Sequence, residues 1–206
     1  VNYATLIADK DTAGSIKSWV NHALLDVVTI VEEAEALVAQ TLRVREMRAS
    51  TTLAMSIGDS TKALPTGFQD PLSLRDITNE ITLDLRDPKT IEEMRGYDSA
   101  VLSTGTPENY AIFDEALQFD YSYDAAATLR LVYFKKWTAL ASTNTNFLTD
   151  RYPHLLRTAC LAQAFSFRDN DARQQIELAK LAAYISKTNA ESDLSMRGLV
   201  TLNRIG

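Results

Sequence analysis

Cys160 and His154 are the residues whose types come nearest to a thiol nucleophile with its base, in a chain of 206 residues that holds one cysteine and two histidines. Both fall in one helical pattern. Six residues apart on a helix they point about 120° away from each other at 3.6 residues per turn. Cys160 also sits in an apolar stripe, where a free thiol packs as a small hydrophobe. His22, the other histidine, lies at the end of an expected helix and suits a surface or capping position better than a metal site. One cysteine excludes an internal disulfide and a cysteine-based zinc cluster.

The carboxylates are the next candidates. Asp26, Glu32, Glu33 and Glu35 crowd one segment, but only residues three or four apart share a helix face. Glu32 and Glu35 satisfy that spacing, and Glu32 already has a use as the partner of Thr29 in a capping box. The segment therefore reads as a solvated helix face. Ser103-Thr104-Gly105-Thr106-Pro107 has the look of a phosphate loop without the Gly-Lys-Ser/Thr ending that such loops need, and reads as a turn before a strand. No catalytic residue, cofactor or metal site is expected.

Two basic clusters remain, Arg43, Arg45 and Arg48 in one and Lys135 and Lys136, followed by Trp137, in the other. Either suits DNA or an acidic neighbouring subunit. The plainer readings are charge complementing a helix carbonyl end for the first and a solvated strand end for the second. The 21 Lys and Arg against 27 Asp and Glu give a formal net charge of -6, which argues against tight, sequence-independent DNA binding by counterion release.

The elements that must carry these groups follow from periodicity. Ile16, Trp19, Val20, Ala23 and Leu24 after Ser15 predict a first helix. Ile30, Ala34, Leu37, Val38 and Thr41 predict a second, with Glu32, Glu33, Glu35 and Gln40 on the opposite face. At Ala49 the period changes from helical to alternating. A strand is expected over residues 50–57 with Leu53, Met55 and Ile57 on one face, then a turn at Gly58-Asp59 and a hairpin return over 60–64. Further strands are expected at 72–77, 81–85, 110–113, 116–121 and 128–134, the last covered on both faces. Short connections make them antiparallel, and Pro88 starts a short helix among them. Helical pattern resumes at Asn146, restarts near Tyr152-Pro153 with Leu155, Leu156, Ala159, Cys160, Ala162, Gln163 and Phe167 in a band, and ends in a long helix over 172–194. The tail from Leu199 onward has strand-forming residues and no adjacent partner.

No apolar run reaches the roughly 20 residues of a membrane-spanning helix, and the first residues lack the basic and apolar regions of a signal peptide. A protein made in a reducing cytoplasm, with no membrane association, is expected.

The order of segments carries a resemblance. Tyr3-Ala4-Thr5-Leu6, the Glu-Ala-Glu-Ala-Leu helix leading into Leu42-Arg43-Val44-Arg45-Glu46-Met47, and Ala63-Leu64-Pro65-Thr66-Gly67-Phe68 come first. Pro107-Glu108-Asn109-Tyr110-Ala111-Ile112, Leu129-Arg130-Leu131-Val132-Tyr133-Phe134 and Asn144-Thr145-Asn146-Phe147-Leu148 follow. Tyr152-Pro153-His154-Leu155-Leu156, Leu161-Ala162-Gln163-Ala164, Asp169-Asn170-Asp171-Ala172-Arg173 and Asn189-Ala190-Glu191 complete it. Together they resemble the adaptor, or head-to-tail connector, proteins of tailed bacteriophages, over nearly the whole chain.

The resemblance implies an α+β fold, a helical bundle formed by N- and C-terminal helices with a central antiparallel β-rich insertion. The expected layout is one adaptor domain over 1–196, helical over 1–48, β-rich over 49–137 and helical again over 138–196, with an extended tail over 197–206. It also implies a non-enzymatic protein of the virion neck, assembled as a ring, typically dodecameric, between the portal protein and a tail or nozzle protein, with DNA only passing through during ejection. A stopper or tail-completion protein of the same neck is the alternative, and a virion-associated cell-wall hydrolase using a carboxylate pair is a third. Leu199, Val200, Leu202, Arg204 and Ile205 are the expected portal-docking residues, by addition of a strand to a portal sheet, against the alternative of a frayed terminus.

Overall fold

The computed structural model describes residues 27–96, 103–140, 145–167 and 170–202. The helix expected from Ser15 lies outside them. The content is mixed α+β, and the chain divides into two compact units, Val1–Met47 with Trp137–Gly206, and Arg48–Lys136.

The first unit is helical among its described residues. Helix α1 spans Val27–Thr41 and a 3-10 turn follows at Arg45–Met47. The chain returns as α3, Phe147–Arg151, α4, Pro153–Phe167, and α5, Asp171–Leu202; the short helix α2 belongs to the other unit. Asn146 caps α3, its side chain accepting from the backbone N–H groups of Leu148 and Thr149, which satisfies donors that the first helical turn leaves open. Pro153 takes the first position of α4, where its missing N–H costs nothing. α1 packs on α4 and α4 on α5, and Ile30, Ala34, Val38, Leu155, Ala159, Leu181 and Ile185 are buried.

Three expectations change here. Thr29 lies within α1, Val27–Thr41, and is not its cap. Glu35 is buried at 6% exposure, not solvated with Glu32 and Glu33. α5 continues to Leu202, so 197–202, expected to be extended, are helical: the β-branched residues there sit at the end of a long helix already nucleated, where each added residue gains a backbone bond.

The second unit is β-rich. Strands β1 (Arg48–Met55), β2 (Thr61–Ala63), β3 (Phe68–Asp76), β4 (Ile81–Leu85), β6 (Asn109–Phe113), β7 (Ala116–Phe119) and β9 (Ala127–Lys135) form a seven-stranded sheet in the order β1-β9-β3-β4-β6-β7-β2. β5 (Thr104–Gly105) and β8 (Ser122–Tyr123) pair separately, so Thr104 and Gly105, expected in a turn, are a short strand. The sheet is mostly antiparallel. β4 with β6 and β5 with β8 are parallel, because residues 86–108 between β4 and β6 include helix α2, Pro88–Arg95, long enough for a crossover. β2 pairs with β7 and β1 with β9, not with each other as the hairpin reading had it.

β1 and β2 are the two edges of the sheet, yet residues 56–60 alone join them. Flat, the edges would lie about 29 Å apart at ~4.8 Å per strand, whereas the step from Met55 to Thr61 spans at most ~21 Å. The sheet is therefore curled. Met55, Leu74, Leu83, Tyr110, Leu117, Phe119, Leu129 and Leu131, drawn from nearly every strand, share one core. Gly58 makes the tight link possible, with φ of 87° in the region glycine enters without a Cβ clash and its N–H on the Tyr123 carbonyl at 2.8 Å. Ile57, expected inside, is 73% exposed beyond the strand's end. β9 is buried on one face at Leu129, Leu131 and Tyr133; its other face is exposed at Thr128 and Arg130 but half-buried at Val132 and buried at Phe134, so it is covered on both faces only toward its end.

Candidate interaction site

The helical unit contains a buried acceptor and a cleft. Glu35 takes the Trp137 indole N–H at 2.6 Å, the Leu140 backbone N–H at 3.0 Å and the Asn146 amide at 2.7 Å. One carboxylate thus fixes the end of the returning chain and the residue that caps α3. From Trp137 a series of edge-to-face ring contacts runs through Phe147 and Tyr152 to His154 and Tyr184, with centroids 5.2, 6.1, 6.5 and 5.4 Å apart in turn. The series is half-buried at Trp137, Phe147 and Tyr152 and exposed at His154 and Tyr184. Cys160 is buried, and its thiol is pushed up to about 12 by burial first and by the Glu35 carboxylate second. A thiol so held in its protonated form packs as a small hydrophobe, while His154 lies at the exposed end of the ring series.

Arg43 and Arg45 are tied to α5. Arg43 donates its backbone N–H to Asn189 Oδ1 at 2.8 Å, and its guanidinium takes the Leu42 and Ala39 carbonyls at 2.7 and 3.1 Å. Asn189 returns a bond to the Thr41 carbonyl at 3.1 Å, so the open carbonyl end of α1 is closed by a side chain from another helix. Arg45 donates its backbone N–H to Ser192 Oγ at 3.0 Å. Glu46 bridges the guanidinium groups of Arg45 and Arg151. Arg45, Glu46, Arg151, Tyr152, Thr188, Glu191 and Ser192 line a cleft of about 220 Å³. Burial raises the Tyr152 phenol, with Glu46 adding to the effect.

The remaining basic residues belong to the β unit. Arg48 opens β1 with its guanidinium 5.5 Å from the Phe134 ring centre. Lys135 ends β9 opposite Phe68, and the Lys136 backbone N–H bonds the Gly67 carbonyl at 2.7 Å. Both lysines are exposed. Arg43, Arg45 and Arg48, a triplet in the sequence, are thus divided between two units. Of the docking residues, Leu199, Val200 and Leu202 are on α5, while Arg204 and Ile205 lie outside the described residues.

The fold also assembles a basic pair that sequence spacing conceals. Arg75 on β3 and Arg130 on β9 are direct partners in the antiparallel register, and both are exposed. Their row continues to Thr52 on β1 and Thr82 on β4. Arg130 lies between buried Leu129 and Leu131 and Arg75 between buried Leu74 and Asp76, and the alternation around Arg130 is the signal in the sequence for an outer face.

Among the described residues no group of three His, Cys, Asp or Glu could hold a metal ion, and no helix is long and apolar enough to cross a membrane. One family model, described as SU10 adaptor protein, matches residues 2–202. No curated protein matches the chain.

Proposed function

The chain is a member of the SU10 adaptor protein family, and from that membership we propose that it is a structural component of a phage neck, forming a ring between the portal and the tail or nozzle through which the genome leaves. The observation that carries this reading is the extent of the match, residues 2–202, across both compact units. The N- and C-terminal helices act as a bundle that carries the β unit as an insertion. The ring is dodecameric and non-enzymatic, with portal and tail proteins as its partners.

The end of the chain is the proposed portal contact. Leu199, Val200 and Leu202 reach the portal as the last turn of α5 or by unwinding into a strand on a portal sheet, with Arg204 and Ile205 beyond them. Arg43, Arg45, Arg48, Lys135 and Lys136 are available to phosphates or neighbouring acids only in part, since Arg43 and Arg45 are engaged with α1, α5 and Glu46. A passage for moving DNA gains from weak phosphate contacts, each of which must be broken in transit, and a chain of net charge -6 suits it.

The test is genetic and compositional. Phage made without this chain should yield filled heads and free tails that join when the purified chain is added, and neck preparations should contain it in ring stoichiometry with the portal. Complete, infectious virions lacking the chain would sink the reading.

A further inference from the structure

The geometry points to an interface between copies of this chain, in which the Asp114-Glu115 hairpin tip of one copy docks on the Arg75–Arg130 pair of the next. The inference rests on the ring reading above and gives the ring a specific contact.

The acceptor is built by the sheet register. Directly opposed residues of antiparallel strands bring their Cβ atoms to about 5 Å, and like charges so placed repel. Arg75 and Arg130 are opposed in this way. Among the described residues neither has an ion pair or side-chain hydrogen bond. Asp84 on the neighbouring strand is already bonded to Arg86 at 3.1 Å. Two adjacent, exposed guanidinium groups without an ion pair among the described residues form a site for two carboxylates.

The donor is the β6–β7 turn. Asp114 and Glu115 are both exposed and both adopt positive φ, 49° and 57°. A two-residue hairpin of that shape favours Asn, Asp or Gly at its first central position and Gly at its second, so Glu115 holds an acidic side chain where the backbone favours glycine. Phe113 beside them is 53% exposed, and Leu72, at the β3 irregularity near the arginine pair, is 40% exposed, which supplies an apolar contact next to the ionic one.

Position within the sheet decides that the two meet between copies rather than within one. In the order β1-β9-β3-β4-β6-β7-β2 the arginines lie on β9 and β3 and the tip joins β6 and β7, with β4 between. Among the described residues no ion pair joins the tip to either arginine within one copy. A surface that offers its donor on one side and its acceptor on another makes heterologous, head-to-tail contacts, the kind that close into rings. DNA is the weaker occupant: the row through the arginines continues into Thr52 and Thr82 instead of the extended basic track that phosphate binding uses.

Charge exchange tests this. Self-association of the purified full chain is measured by sedimentation in low-salt buffer, up to the highest soluble concentration. The wild type should form larger species. The double variants R75E/R130E and D114K/E115K should each associate at least about tenfold more weakly, since close interfacial charge pairs dominate such contacts. An equimolar mixture of the two should recover association, because each supplies the charge the other lacks. Unchanged circular dichroism and melting show that the variants fold. Three results overturn the proposal: a wild type that stays monomeric throughout, association indifferent to either substitution, or a mixture no better than its parts. Retention of short duplex DNA by the wild type, lost in R75E/R130E while association is unchanged, would reassign the arginines to phosphate and overturn it as well. The neck role is read separately, from virion composition, so either reading can fail alone.

Discussion

Glu35 and Trp137, 102 residues apart in sequence, are joined by a hydrogen bond of 2.6 Å from the indole N–H to a carboxylate that is itself buried. The same carboxylate holds Leu140 and Asn146. Replacing Glu35 with Ala removes the acceptor from three donors. Leaving such groups unsatisfied should cost about 3 kcal/mol or more, read as a lower urea midpoint, with E35Q intermediate because an amide offers one acceptor and adds a donor.

Asn189 closes the end of α1 through Arg43 and Thr41. The variant N189A loses both bonds and should be destabilised by about 1–2 kcal/mol. Thermal unfolding of the full chain measures this, and hydrogen exchange at Arg43 should accelerate with it.

Arg95 pins the end of α2 to the sheet, donating to the Phe119 carbonyl at 2.7 Å and the Ser60 carbonyl at 2.8 Å. Burial lowers its pKa, opposed by Asp120 and then Glu92. Substitution by Ala should cost about 2 kcal/mol, as for hydrogen bonds from a charged donor. Loss of amide protection should concentrate in β2 and β7.

The Cys160 thiol, at 9.0 unperturbed and about 12 in the fold, gives a pH dependence with a definite sign. Below pH 9 both folded and unfolded chains hold the proton and stability is unaffected. Between 9 and 12 the unfolded chain releases it first, so stability falls as pH rises, by up to about 1.4 kcal/mol per pH unit. The difference between wild type and C160A isolates this slope from the tyrosines. At pH 8 a thiol reagent should label the native chain only after denaturant is added.

Deleting residues 199–206 tests the proposed portal contact. The truncated chain should keep the melting profile of its sheet and lose binding to portal rings. Unchanged binding would remove the end of the chain from that role.

Much of the local structure is legible in the sequence, because Ile30, Ala34 and Val38 repeat with the helix and are buried, and Asn146 and Pro153 mark helix starts by their own chemistry. What stays hidden depends on distant partners. Nothing near Glu35 announces Trp137. β2 and β1 are close in sequence and find strands far along the chain, since closing the sheet onto a shared core outweighs local hairpin pairing. Arg75 and Arg130 become neighbours only through register, which spacing along one strand does not encode. The tail's strand-like composition yields to the helix that precedes it.

The β unit starts at Arg48 and stops at Lys136, and Arg48 is the register partner of Phe134. Its entry and exit are therefore one strand spacing apart. A segment whose two ends are neighbours can be lifted out and replaced by a short turn, or exchanged for another, without rethreading the helices that flank it. The unit has the form of a cassette, exchangeable as one piece while the helical segments before and after it keep their order in the chain.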